Sequence, residues 1–173
     1  MKNGTRTARR WRALAKNERG GAMVEFAITL PILLIVAAGA TEVGRLFYTY
    51  TTLAKATQVG ARFLSAQPAN TCFDLGAASC PSTCAVCIQA RNLVVCGNAV
   101  GCGGPGQPAP VVRNLTAANV AITPPAASRT SVTVSITGYQ YQALVFNLAG
   151  LTGSQASWTN RTLSPSTQMP YMR

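Results

Sequence analysis

The run from Ala22 to Ala40, apolar apart from Glu25 and Thr29, follows directly on a basic leader and constrains everything after it. A helix of roughly 20 such residues crosses the hydrocarbon core of a bilayer. No second run of this length exists in the chain, so one span is expected. The leader, 1–20, carries seven cations (Lys2, Arg6, Arg9, Arg10, Arg12, Lys16, Arg19) against one acid, Glu18. Cations flanking a span stay on the cytoplasmic side, which predicts the N-terminus inside and the rest outside. Of the formal charge of +11, the leader holds seven cations less one acid, so the basicity is mainly topogenic. A nucleic-acid partner is not expected, although Trp11 sits among the cations. Arg9-Arg10 does not make a twin-arginine signal, because Arg12, Lys16, Glu18 and Arg19 separate it from the apolar run.

Glu25 is the residue that needs explaining. A carboxylate this close to hydrocarbon costs a few kcal/mol unless neutral, interfacial or paired. If the chain is cut after Gly20, the new amine on Gly21 lies four residues from Glu25, and the amine of a neighbouring subunit can pair with that carboxylate within the membrane.

The stretch Gly20, then Gly21-Ala22-Met23-Val24-Glu25-Phe26, resembles the class III (prepilin) signal, with cleavage after a Gly, Glu at the fifth mature position and an aromatic next. More narrowly, Val24-Glu25-Phe26-Ala27 with Leu30-Pro31, then Glu42-Val43-Gly44-Arg45 and Ala61-Arg62, is similar to the TadE-like pseudopilins of tight-adherence (Flp) pilus systems. The similarity covers about residues 19 to 65. It implies that Gly20 precedes the scissile bond, Gly21 becomes the mature amine, and Glu25 with Phe26 serves processing and assembly. It implies as partners a prepilin peptidase, other pilin or pseudopilin subunits and an inner-membrane assembly platform. Some relatives carry a metal-binding adhesion domain; this chain has a single Asp, Asp74, and no such domain is expected.

Beyond Ala40 the periodicity continues. Val43, Leu46, Phe47, Tyr50, Leu53, Ala54, Thr57, Ala61 and Leu64 follow steps of three and four, while Glu42, Arg45, Thr49, Thr52, Lys55, Gln58 and Arg62 form an opposing polar stripe. The reading is one helix from Val24 to Leu64, a membrane half followed by an amphipathic half laid against a globular head. Pro31 removes a ladder bond and crowds the carbonyl of Ala27, so the helix should kink or loosen there. A break at Gly39 or Gly44 into two helices is the alternative.

The chain has no His and four acids, of which only Glu42 and Asp74 follow the membrane segment. Paired carboxylates, His-based triads and His-containing zinc sites are therefore not expected in the exported part. Lys55, the only Lys after the leader, has no Ser-x-x-Lys spacing. The expectation is no enzyme, no cofactor and no metal.

All six cysteines, Cys72, Cys80, Cys84, Cys87, Cys96 and Cys102, are confined to one stretch on the predicted outer side, where thiols oxidise. Three disulfides bracing a small head are expected, with fifteen pairings open. The stretch 83 to 95 can form a short helix with Ile88, Leu93 and Val94 inward, from which Cys80, Cys84 and Cys87 would reach toward Cys72, Cys96 or Cys102. Cys84-Ala-Val-Cys87 has the spacing of half a zinc site or a redox pair, but no second C-x-x-C and no thioredoxin-like alternation accompanies it.

After a Gly- and Pro-rich loop, 101 to 110, strands are expected at 119 to 123 and 131 to 136. Tyr139 and Tyr141 would continue the second past Gly138. The stretch 144 to 148 is a third apolar one, and 158 to 168 a last strand, with Pro165 and Pro170 pointing to an edge. The fold class is therefore α+β and pilin-like: a long membrane-spanning and amphipathic helix packed on a small antiparallel sheet, with a cysteine-rich region. The expected organisation is leader 1–20, transmembrane half 21–41, amphipathic half 42–66, cysteine-rich region and loop 67–110, and β-rich head 111–173. The localisation implied is a bacterial inner membrane with the head periplasmic or extracellular, with incorporation into a surface pilus open. Two other readings stand beside this one. Ala38-Gly39-Ala40 has the small-x-small pattern of a signal peptidase site, which would release a secreted cysteine-rich binding protein beginning at Thr41. An uncut anchor would make the head a membrane-tethered adhesin, leaving Glu25 without a role.

Overall fold

The computed structural model describes residues 18–68, 79–125, 131–143 and 160–171. Two compact units divide the chain, Met1–Thr41 and Glu42–Arg173. A single helix, α1 (Glu18–Ser65, 48 residues), contributes to both. It starts earlier than the periodicity indicates and runs uninterrupted through Pro31, Gly39 and Gly44, so neither glycine divides it. A proline within a membrane helix is tolerated because only one ladder bond is lost and local adjustment re-satisfies the carbonyl.

In the first unit every residue from Gly20 to Ala37 is exposed. This is the one helix among the described residues long and apolar enough to cross a membrane. Its hydroxyls are satisfied internally. Thr29 donates to the carbonyl of Glu25 at 3.0 Å and Thr41 to that of Ala37 at 2.9 Å, as serine and threonine do where no water is at hand.

In the second unit α1 is the wall of a small α+β core. Leu53, Thr57, Ala61 and Leu64 are buried, as the upper part of the expected stripe requires. The lower part differs. Val43, Phe47 and Tyr50 are exposed, and Glu42, placed by sequence on the polar face, is buried. The helix presents to the head the narrower seam Glu42, Leu46, Thr49, Leu53, Ala56 and Gly60, with alternating steps of four and three. The head carries a polar partner for Glu42, and this turns the contact face round the helix at this end. At Gly60 the approach is closest: a Cβ there would lie 2.5 Å from Val94 Cγ2 and 3.7 Å from Val134 Cγ1.

Helix α2 (Ala85–Cys96) turns Cys87, Ala90, Val94 and Val95 inward. Ile88, expected inside, is exposed, because the Cys80–Cys87 disulfide fixes the inward face about 100° away from it. The loop before α2 is tied to the sheet by Cys80 N–H donating to the Ile122 carbonyl at 3.1 Å.

The strands are β1 (Val120–Thr123), β2 (Ser131–Ile136), β3 (Tyr139–Gln142), β4 (Asn160–Leu163) and β5 (Ser166–Pro170). The single sheet expected from sequence is two antiparallel sheets, one of order β1-β2-β5 and one pairing β3 with β4. Val120 pairs with Ile136 and Val132 with Met169. In β2, Val132, Val134 and Ile136 are fully buried and alternate with half-buried Ser131, Thr133 and Ser135. Tyr139 and Tyr141 do not extend β2. Gly138, at φ 68°, takes a conformation L side chains rarely adopt and passes the chain into the second sheet. The expected last strand is likewise divided, around Pro165, whose carbonyl accepts from Ile136 N–H at 3.0 Å. β5, which ends at Pro170, is an edge strand, where a residue without an N–H is tolerated. The apolar stretch 144 to 148 lies outside the described residues, as does Cys72.

Candidate functional site

Gly20, Gly21, Glu25 and Phe26, singled out by sequence, lie in the first turns of α1 and are exposed. Added Cβ atoms at Gly20 and Gly21 would meet nothing within 4 Å. Met23, Val24 and Phe26 are at least 60% exposed, so Glu25 is a lone acid in an apolar, unburied helical surface.

The second unit holds a cluster that sequence did not assemble. Glu42, 8% exposed, accepts a hydrogen bond from the hydroxyl of Tyr141 at 2.6 Å, 99 residues later in the chain. Arg45, one helical turn on, lies 3.5 Å from the other carboxylate oxygen. The Tyr141 phenol is pushed up to about 12, first by burial, then by its hydrogen bond to Glu42 and that carboxylate's charge, with Arg45 acting in the opposite direction. Tyr139, two residues earlier on the same face of β3, donates to the Arg113 carbonyl at 3.1 Å, and burial raises its phenol too. A buried carboxylate is tolerated where a donor meets it, and here the donor comes from a distant strand. The cluster thus fastens β3 to α1. The sequence did contain a signal: Glu42 shares a seven-residue register with Thr49 and Ala56, beside Leu46 and Leu53.

Two further polar contacts continue this fastening upward. Thr57 and Thr167 of β5 share a hydrogen bond of 2.8 Å, and the Tyr171 hydroxyl donates to the Gln67 carbonyl at 2.6 Å. No buried side-chain polar atom lacks a partner among the described residues.

The cysteines pair locally. Cys80 bonds Cys87 and Cys96 bonds Cys102, with Cα atoms 6.0 and 5.4 Å apart. Cys84 is also disulfide-bonded. Neither Cys80 nor Cys87 reaches to Cys72, Cys96 or Cys102 as the helical spacing indicates. They flank the α2 N-terminus and meet each other across it. Cys87 is bonded to Cys80, so the disulfide it makes is not with Cys84 of the C-x-x-C.

A shallow cleft of about 390 Å³ lies beside α2, between Arg91, Ile88 and Ala117. The Arg91 guanidinium donates to the carbonyls of Cys80 at 2.7 Å and Pro81 at 3.5 Å, so it braces the disulfide loop.

Comparison with known proteins places one segment. Residues 20–62 match the family model described as TadE-like protein, a span that falls within α1. No curated protein and no solved structure matches the chain.

Proposed function

We propose that this chain, TadE-like over residues 20–62, is a subunit of a tight-adherence pilus system that is anchored by α1, trimmed after Gly20 by a prepilin peptidase, and used in filament initiation or assembly. The observation that carries the reading is the coincidence of the family match with a helix whose stretch from Gly20 to Ala37 is apolar, exposed and interrupted by a single acid, Glu25. Function then lies in packing: the membrane half of α1 associates with other subunits and the assembly platform, and the head presents surface contacts. Glu25 offers the membrane-buried partner for the amine freed on Gly21 of a neighbour.

The rival reading, secretion after cleavage at Ala40, is disfavoured by the helix. Cleavage there would discard the first half of the family-matched helix, and Glu25 with it. The test is the N-terminal sequence and intact mass of the mature protein from membranes. A start at Gly21 is expected; a start at Thr41 overturns the proposal, and an intact Met1 favours the uncut anchor. Glu25→Ala should block processing or assembly, and a variant that is processed and assembled like the wild type would remove the role given to Glu25.

A further inference from the structure

The face of α1 turned away from the head carries a seam of its own. Between Glu42 and Ser65 the positions Gly44, Tyr48, Thr51, Lys55, Gln58 and Arg62 recur in steps of four and three, the register of one helix laid along another. Tyr48 is 73% exposed, and beside it stand Phe47 at 69% and Val59 at 49%. Lys55 and Arg62 are also exposed, and Gly44 has open space where a side chain would be, which permits close approach. Large apolar side chains along one exposed face are what a partner helix would cover.

The charges say which partner. Tyr48, Lys55 and Arg62 are each seven residues apart and so hold the same position in the repeat. The cations have no acid beside them: the only acid among the described residues of this unit is Glu42, which is buried against Tyr141 on the opposite face. From Glu42 to Arg173 the chain carries eight cations and two acids. Chains anchored at the same end in one membrane lie parallel, and in a parallel pair like positions face each other. A second copy would set Lys55 against Lys55 and Arg62 against Arg62. We infer that this seam docks the helix of a different chain, one bearing carboxylates at the positions facing Lys55 and Arg62, and disfavours a second copy of itself.

The inference rests on the pilus-subunit reading for its parallel geometry, but its test does not depend on processing. The acidic partner can be made from the chain itself as K55E/R62E, with both changes at exposed sites. Full-length wild type, the variant and an equimolar mixture, all in neutral detergent micelles, are compared by native mass spectrometry, with near-ultraviolet circular dichroism confirming the fold of each. The expected result is a 1:1 mixed pair at least tenfold more abundant than either self-pair, falling toward the self-pair level in high salt because exposed charges are screened. Adding F47S/Y48S to the wild-type partner should weaken it without restoring self-pairing. Equal self- and mixed pairing, or no mixed pair, overturns the inference. So does loss of the mixed pair on adding anionic phosphatidylglycerol at low ionic strength, which would assign the cations to a lipid surface. If the mature terminus is not Gly21 the pilus reading fails, whatever the pairing shows.

Discussion

Tyr141→Phe tests whether the head is held to α1 by the buried carboxylate cluster. The substitution removes one oxygen and leaves the ring, so the packing of β3 changes little. It takes from Glu42 a donor at 2.6 Å in a site where both residues are more than nine-tenths buried. A hydrogen bond to a charged group contributes about 1.5–3 kcal/mol, and Arg45 at 3.5 Å, whose side chain is 41% exposed, is a weak substitute for the lost donor. For a unit the size of Glu42–Arg173 each kcal/mol shifts the midpoint by roughly 3–5 °C, so Tm should fall by roughly 5–15 °C. The assay is thermal unfolding of the full chain in micelles, followed by near-ultraviolet circular dichroism. A double cycle with Glu42→Gln isolates the pair, and a coupling of at least about 1 kcal/mol is expected. A Tyr141→Phe loss below about 0.5 kcal/mol would refute the reasoning, since the bond would then contribute no more than a solvated one. A second readout comes from titrating tyrosine absorbance at alkaline pH. Glu42→Gln should lower the highest phenol transition from about 12, while the part due to burial remains.

The same phenol gives a pH dependence. Because the folded-state pKa of Tyr141 is raised, its contribution to stability should be intact below about pH 10, the ordinary tyrosine value, and fall as pH rises through about 12; flat alkaline stability in this window would contradict it. Gly60→Ala would press a methyl against the fully buried Val94 side chain. An overpacking cost of about 1–3 kcal/mol, offset by about 1 kcal/mol of helix propensity, should leave a net loss in thermal melts, whereas Gly44→Ala, into open space, should gain up to about 1 kcal/mol. Removing the local disulfide with Cys80→Ala and Cys87→Ala together should cost about 2 kcal/mol for so short a loop, read as a lowered denaturation midpoint; no change would mean that the helix holds the loop unaided.

Local chemistry is enough to read much of this chain. A long apolar run broken by a single acid after a cluster of cations fixes a membrane-length helix whatever lies beyond it, since hydrocarbon demands internal hydrogen bonding of every backbone group. Alternation of Val132, Val134 and Ile136 fixes the buried face of β2, because side chains on a strand can point only two ways. What sequence leaves undecided are the choices made between distant segments. The spacing admits two faces, a broad apolar stripe with Phe47 and a narrower seam with Glu42, and nothing between Glu42 and Ser65 says that a tyrosine 99 residues later will offer its hydroxyl and select the second. Helical spacing makes Cys80 and Cys87 candidates for several partners, and how α2 is turned depends on the bond they form with each other and on the docking of Val94 against Gly60. The β-strands are visible as segments, but their division into two sheets depends on the turn at Gly138 and on which edge the C-terminal strands meet. Periodicity records that a face is apolar; which face is covered depends on what another part of the chain brings to it.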